Sequence, residues 1–158
     1  MGPAPVQSGV MAHWTAQTTA QVPPEQVLAV LTDPEAIRTW SPVPFELEGT
    51  ESRLAAGRTA RVNGQLAGVR VGFDVEVHSA GAGGLNLTAH GPVALDVHYE
   101  LTPTAGGSSV KASVGLRKAR GITGRLVASA TGALLSAGAL EGAAGRIARA
   151  AEATAVAA

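Results

Sequence analysis

The sequence predicts a single α+β domain in which an antiparallel sheet is covered by a long C-terminal helix, and three observations carry that prediction. Apolar and polar residues alternate in short runs from residue 12 to about residue 117, the period of strands with one buried face. Gly-, Pro- and Ala-rich turns separate the runs at the spacing of an antiparallel meander. After Arg120-Gly121 the alternation stops, and apolar residues recur every three or four positions to about Glu152, as on an amphipathic helix. The 158 residues suit one domain with a buried core. Its expected extent is 11–153, after a flexible segment at 1–10 and before a short tail at 154–158.

Residues 12–21 put Trp14, Ala16, Thr18 and Ala20 on one side and His13, Thr15, Gln17, Thr19 and Gln21 on the other, a half-buried first strand. Pro23-Pro24-Glu25 supplies fixed φ and a carboxylate where a helix begins, and Val27, Leu28, Val30 and Leu31 follow at helical spacing. Asp33-Pro34 ends this short helix, because proline disfavours helical backbone in the residue before it. Asp33 then caps a second short helix through Ile37 and Trp40, which Ser41-Pro42 stops. Six strand-like runs follow at 43–48, 58–65, 69–78, 85–90, 93–101 and 109–117. In the clearest, Val69, Val71, Phe73, Val75 and Val77 face one way and Arg70, Asp74, Glu76 and His78 the other. Val93, Leu95, Val97, Tyr99 and Leu101 repeat the pattern, and Val110, Ala112, Val114 and Leu116 continue it.

Matching these faces fixes the register. A hairpin closed by 104–107 sets Leu101 opposite Val110, Tyr99 opposite Ala112, and Glu100 opposite Lys111, where a cross-strand ion pair is expected. A three-residue loop at Gly91-Pro92 keeps Leu85, Leu87 and Ala89 on the apolar face, whereas a two-residue turn would reverse them. Beyond Gly121, Leu126, Ala130, Ala133, Ala137, Leu140, Ala144, Ile147 and Ala151 form one stripe. Gly132, Gly138, Gly142 and Gly145 are unusual there, each costing about 1 kcal/mol relative to Ala. Close approach to a backbone or ligand explains them, and so does compositional bias, since Ala and Gly together supply 51 residues of the chain.

A strand, two short helices broken by Asp-Pro, six strands and a final helix: this order resembles the helix-grip fold of Bet v 1-like and START-like proteins. The most specific segment runs Thr19-Ala20-Gln21-Val22-Pro23-Pro24-Glu25 through Asp33-Pro34-Glu35, followed by Trp40-Ser41-Pro42, and is similar to the opening of the SRPBCC superfamily. The second half is similar to the branch of small proteins associated with carbon monoxide dehydrogenase, through a turn at Asn63-Gly64, the Gly-rich link at 80–84 and the Ala/Gly-rich final helix. Trp40-Ser41-Pro42 is equally at home in the polyketide cyclase branch. The resemblance implies a curved seven-stranded antiparallel sheet around a long C-terminal helix, with two short helices after strand one and a cavity between sheet and helix. The first branch further implies contact with membranes or lipid-like molecules and help to a redox enzyme. The second implies cyclase or aromatase chemistry.

In such a fold the residues facing the space between sheet and helix decide the function. Alternation places Trp14, Ala16, Thr18, Phe73, Val75, Leu87, Leu95, Val97, Tyr99, Ala112 and Val114 there. The helix adds Leu126, Ala130 and Leu134, with Trp40 and Phe45 near the mouth. A face so nearly apolar predicts non-catalytic binding of a hydrophobic small molecule or lipid-like ligand. The alternative, a polyketide cyclase or aromatase, needs an acid or base and donors for a developing enolate. On this face only Thr18 and Tyr99 carry polar atoms, so Tyr99 is the candidate acid. His90 is a further candidate, if a bulge beside Gly91-Pro92 turns it inward; His13, His78 and His98 face outward by parity. No compact His/carboxylate spacing is present, so no metal is predicted and no cofactor is implied. Gly81-Ala82-Gly83-Gly84 lacks the Gly-Lys-Ser/Thr of a phosphate loop and reads as a hairpin link, and no Gly-x-Ser-x-Gly nucleophile elbow occurs.

Twelve basic and twelve acidic side chains balance, which argues against nucleic acid held by counterion release. Without Cys there is no disulfide framework, thiolate nucleophile or iron–sulfur cluster. Residues 1–10 lack the charged and apolar regions of a secretory signal, so a cytoplasmic location is expected. The charge is nevertheless uneven. Residues 25–51 carry six acids against Arg38, and residues 111–158 carry seven bases against Glu141 and Glu152. Arg117, Lys118 and Arg120 lead into the final helix as a candidate contact for anionic lipid or an acidic redox partner. The uncharged stretch from Leu126 to Leu140 is short of a membrane span and reads as core helix.

Overall fold

The structure, a computed structural model, describes residues 12–41, 45–48, 54–66, 69–81, 83–119 and 121–157; the segment expected to be flexible, 1–10, lies outside them. The chain runs β1 (Ala12–Ala20), α1 (Pro24–Thr32), α2 (Pro34–Trp40), β2 (Phe45–Glu48), β3 (Thr59–Leu66), β4 (Val69–Gly81) and β5 (Gly84–His90). It continues through β6 (Val93–Thr104), β7 (Gly107–Ala119), α3 (Gly121–Ser136) and α4 (Ala139–Ala157). The strands form one antiparallel sheet in the order β1-β7-β6-β5-β4-β3-β2, so only the β1–β7 contact joins strands distant in sequence. Extended Pro23 precedes α1, and the Asp33 carboxylate accepts the Glu35 backbone N–H at 3.0 Å to cap α2. Arg146 Nε on α4 donates to the Trp40 carbonyl at 3.1 Å and fixes the far end of α2.

Sheet register follows the face matching closely. Leu85, Leu87 and Ala89 lie opposite Tyr99, Val97 and Leu95, and His90 opposite Ala94, which leaves the three-residue loop that keeps the apolar faces together. Tyr99 faces Ala112 and Leu101 faces Val110, as the closing hairpin requires. Glu100 is opposite Lys111, but the expected ion pair does not form. Both are exposed, where a surface pair gains little, and the ion pairs among the described residues are Arg61–Asp74 at 3.0 Å and Arg117–Asp96 at 2.8 Å. The β3–β4 hairpin turns after Leu66 rather than at Asn63-Gly64, which pair in mid-strand with Gly72 and Val71.

The single long C-terminal helix is corrected to two. The chain breaks at Ala137-Gly138, where Gly138 takes φ +101°, and α3 and α4 meet at a bend of 62°. The rotation divides the expected stripe. Leu140, Ala144, Ile147 and Ala151 on α4 are buried in the main core with Val27, Leu31, Leu85 and Val110, whereas Leu126, Ala133 and Ala137 are exposed. Fully burying one such aliphatic side chain contributes roughly 1.5–3 kcal/mol, so α4 rather than α3 anchors the sheet. A smaller cluster, Val93, Leu116 and Val127, holds the start of α3. Close approach explains Gly124, where a Cβ would come within 2.7 Å of the Pro92 carbonyl oxygen. At Gly142 and Gly145 a Cβ would meet only the guanidinium ends of Arg146 and Arg149, so tolerated bias suffices there. The helix runs on to Ala157, past the expected tail boundary.

Candidate functional site

A partly enclosed cavity of about 340 Å³ lies between the inner face of the sheet and the helices. The alternation of β4, β5, β6 and β7 supplies its sheet wall, with Phe73, Val75, Leu87, Leu95, Val97, Tyr99 and Val114 all lining it as expected from the sequence. Trp40 closes one end. Its indole Nε1 donates to the Val30 carbonyl at 3.1 Å, and its ring meets Tyr99 edge-on, with centroids 6.1 Å apart at 75°. From α3 the expected Leu134 is present, beside Thr131 and Leu135.

Six residues expected on the inner face lie elsewhere, and a seventh, Phe45, is not placed by its side chain. Leu126 is 56% exposed because the bend at Gly138 turns its face of α3 to solvent. Ala130 is half-buried on the same helix but does not line the cavity, to which its neighbour Thr131 contributes instead. Trp14 packs between β1 and α3: its indole donates to Ser136 Oγ at 3.4 Å and its ring lies beside Gly132, so it fills space the cavity would otherwise occupy. Thr18 is half-buried opposite Val110, away from the cavity. Ala16 and Ala112, also expected on the inner face, are buried in the core where β1 and β7 pair. Phe45 pairs through its backbone with Gly64, and its side chain lies outside the described residues.

The cavity also has walls that alternation in single strands does not reveal. Leu31 and Ile37 from α1 and α2, Leu140 and Ala143 from α4, and Ala60, Val62 and Gly64 from β3 all contribute. Pairing would have found the last three, since Ala60 lies opposite Val75, Val62 opposite Phe73 and Gly64 opposite Val71. Polar side chains are sparse among the described lining residues: Ser41, Gln65, Thr131 and Tyr99.

Tyr99 is the most perturbed group of the site. Burial pushes its phenol well above its ordinary value, so it stays protonated. Among the described residues its hydroxyl has no hydrogen-bond partner. It is not sealed off either, because the buried polar side-chain atoms without partners are Gln26 Oε1 and Arg117 Nε. It offers a donor toward the cavity contents.

The histidines lie on the other side of the sheet. His13, His78, His90 and His98 are all exposed, and the His90–Ala94 pairing keeps His90 outward, so it is removed from the candidate site. His90 borders a shallow outer depression of about 610 Å³ with Arg61, Asp74 and Glu76. His78 Nε2 is 2.7 Å from Thr88 Oγ1, which donates to Asp96 Oδ1 at 3.2 Å. Arg117 Nε sits 2.8 Å from the other Asp96 oxygen, close as an ion pair although poorly aligned as a hydrogen bond. Of the other two basic residues expected to make a contact, the Lys118 side chain and Arg120 lie outside the described residues.

Comparison with known proteins bears on the fold directly. The aromatase/cyclase Zhui from Streptomyces sp. R1128 superposes with a TM-score of 0.70 at 14% identity, covering 89% of this chain and 93% of that one. TTHA0849 from Thermus thermophilus gives 0.67 at 16%, covering 90% and 99%. CV1439 from Chromobacterium violaceum gives 0.64 at 16%, covering 89% and 96%. No curated protein sequence matches significantly. The family model described as polyketide cyclase / dehydrase and lipid transport matches residues 11–152. A helix-grip sheet with an apolar cavity, met by that match over nearly the whole chain, makes this protein a member of the polyketide cyclase / dehydrase and lipid transport family within the SRPBCC superfamily.

Proposed function

We propose that the protein binds an apolar small molecule or lipid-like ligand in the cavity, as a non-catalytic carrier or accessory protein. The observation that carries this reading is the lining: aliphatic and aromatic side chains from sheet and helices, with Tyr99 as the buried hydroxyl and Ser41, Gln65 and Thr131 the other polar side chains among the described lining residues. Such a site gains affinity from apolar area removed from water, and the Tyr99 hydroxyl orients the ligand without transforming it. A ligand that fits is largely hydrocarbon or aromatic and carries one hydrogen-bond acceptor. Proton abstraction from a substrate is poorly served. No carboxylate or imidazole is among the described lining residues, and a phenol held protonated donates rather than accepts.

The second reading is a polyketide cyclase or aromatase, which the family description and the aromatase/cyclase likeness support. In it Tyr99 would hydrogen-bond a polyketide carbonyl and stabilise the developing enolate. Titration of the whole chain with anilinonaphthalene sulfonate, followed by fluorescence and repeated on Tyr99→Phe, tests the carrier reading. Saturable binding at one site per chain supports it, and absence of binding overturns it. A Tyr99→Phe change that alters the product distribution of a poly-β-ketone substrate would favour the cyclase.

A further inference from the structure

The two C-terminal helices reverse the usual relation between charge and burial. α3 has a single charged side chain, Arg125, in 16 residues, whereas α4 carries Glu141, Arg146, Arg149 and Glu152. Yet α3 buries only Gly124 and Val127, while α4 buries Leu140, Ala143, Ala144, Ile147, Ala148 and Ala151. The more apolar helix is the more exposed one. Ile122 is 82% exposed and Leu126 56%, and they are the exposed large hydrophobics among the described residues. Their spacing of four residues puts them on one face, one turn apart, with exposed Arg125 beside them. A helix that shows its apolar side to solvent marks a contact surface.

We infer that the exposed face at the start of α3 docks on an anionic lipid bilayer. Charge selects this partner. Between residues 112 and 140, the end of β7 and the whole of α3, the sequence contains no Asp or Glu and four bases, Arg117, Lys118, Arg120 and Arg125. Arg117 is engaged by Asp96, but Arg125 is exposed and enters neither ion pair found among the described residues. A second copy of the chain fits poorly, because a two-fold contact through this face would set Arg125 near its own counterpart with no carboxylate on α3 to offset it. Two apolar side chains are also too few to centre a stable protein interface, which buries on the order of 1,000 Å² or more. They suffice for shallow insertion at the headgroup boundary, with basic residues meeting the phosphates. No single helix among the described residues is long and apolar enough to cross a membrane, and α4, which together with α3 would have the length and composition, is buried in the core through Leu140, Ala144, Ile147 and Ala151.

This inference does not depend on what the cavity holds. Its test is co-sedimentation of the full chain with vesicles of equal parts phosphatidylcholine and phosphatidylglycerol, against vesicles of phosphatidylcholine alone. Binding should favour the anionic vesicles and weaken with added salt. It should fall about tenfold or more in Ile122→Ser/Leu126→Ser and several-fold in Arg125→Glu. All three positions are exposed, so circular dichroism should be unchanged in both variants. Failure of the wild-type chain to sediment with anionic vesicles overturns the inference, as does binding that neither variant weakens. A dimer of the wild-type chain abolished by Ile122→Ser/Leu126→Ser, with no vesicle binding, also overturns it and assigns the face to self-association.

Discussion

Replacing Val97 by Phe asks whether the space beside the sheet is real and usable. Val97 is half-buried on β6 between Leu87 and Val114, and its side chain lines the cavity. A phenyl group there meets open volume, part of about 340 Å³. It adds roughly 60 Å² of apolar surface to be removed from water, worth about 1.5 kcal/mol, and loses about 0.5 kcal/mol in rotamer freedom. The net expectation is a gain of about 1 kcal/mol. In a close-packed core the same enlargement would cost roughly 1–3 kcal/mol, so the sign of the change decides. Urea denaturation with an unchanged m-value reads the stability, and fluorescence titration with anilinonaphthalene sulfonate reads the occupancy. The affinity for the probe should fall about tenfold, the equivalent of about 1.4 kcal/mol. Thr102→Phe, at an exposed position of β6, serves as control and should leave probe affinity unchanged. A Val97→Phe protein that loses stability while binding the probe as before would refute the reasoning.

Three further outcomes follow from the geometry. Tyr99→Phe should leave neutral-pH stability nearly unchanged, because the hydroxyl has no hydrogen-bond partner among the described residues, and should weaken only ligands that carry an acceptor. Its raised pKa means that the folded state holds the phenolic proton more tightly than the unfolded chain. Stability is therefore full below about pH 10 and lost as pH rises above it, and a pH series of denaturation curves should show that loss blunted in Tyr99→Phe. Gly84→Ala should lower stability by about 1–3 kcal/mol, since Gly84 has φ +140° and a Cβ would collide with the Tyr99 carbonyl oxygen; thermal unfolding checks this. Asp33→Ala removes the carboxylate that accepts the Glu35 N–H and should cost about 0.5–2 kcal/mol, read by the same method.

The sheet is legible in the sequence because strand parity is strict. With an apolar face on Val69–Val77 and Val93–Leu101, the registers that keep that face whole set Leu85 against Tyr99 and Ala112 against Tyr99, and both occur. The two proline signals at 23–24 and 34 mark the helix starts for an equally local reason, the restriction on φ. The C-terminal helix is less legible. Its stripe continues without a phase change through Ala137 and Leu140, so periodicity passes over the break, and Gly138 is one small residue among many. That hidden bend accounts for Leu126 facing solvent. Trp14 departs from expectation for another reason: parity puts it on the inner face, but cannot say whether a helix lies close enough to fill the gap, as α3 does at Gly132 and Ser136. The contributions of Leu31, Ile37 and Leu140 depend on how three helices fold back over the sheet, which no local pattern encodes.

Occupancy of the cavity itself can be read by methyl NMR of the full chain labelled at Ile, Leu and Val, titrated with naphthalene. Shifts should concentrate at Leu87, Val97, Val114 and Leu134, which surround the space, and should saturate at one equivalent. Shifts confined to the exposed Ile122 and Leu126, or none at all, would contradict an apolar binding site between sheet and helices.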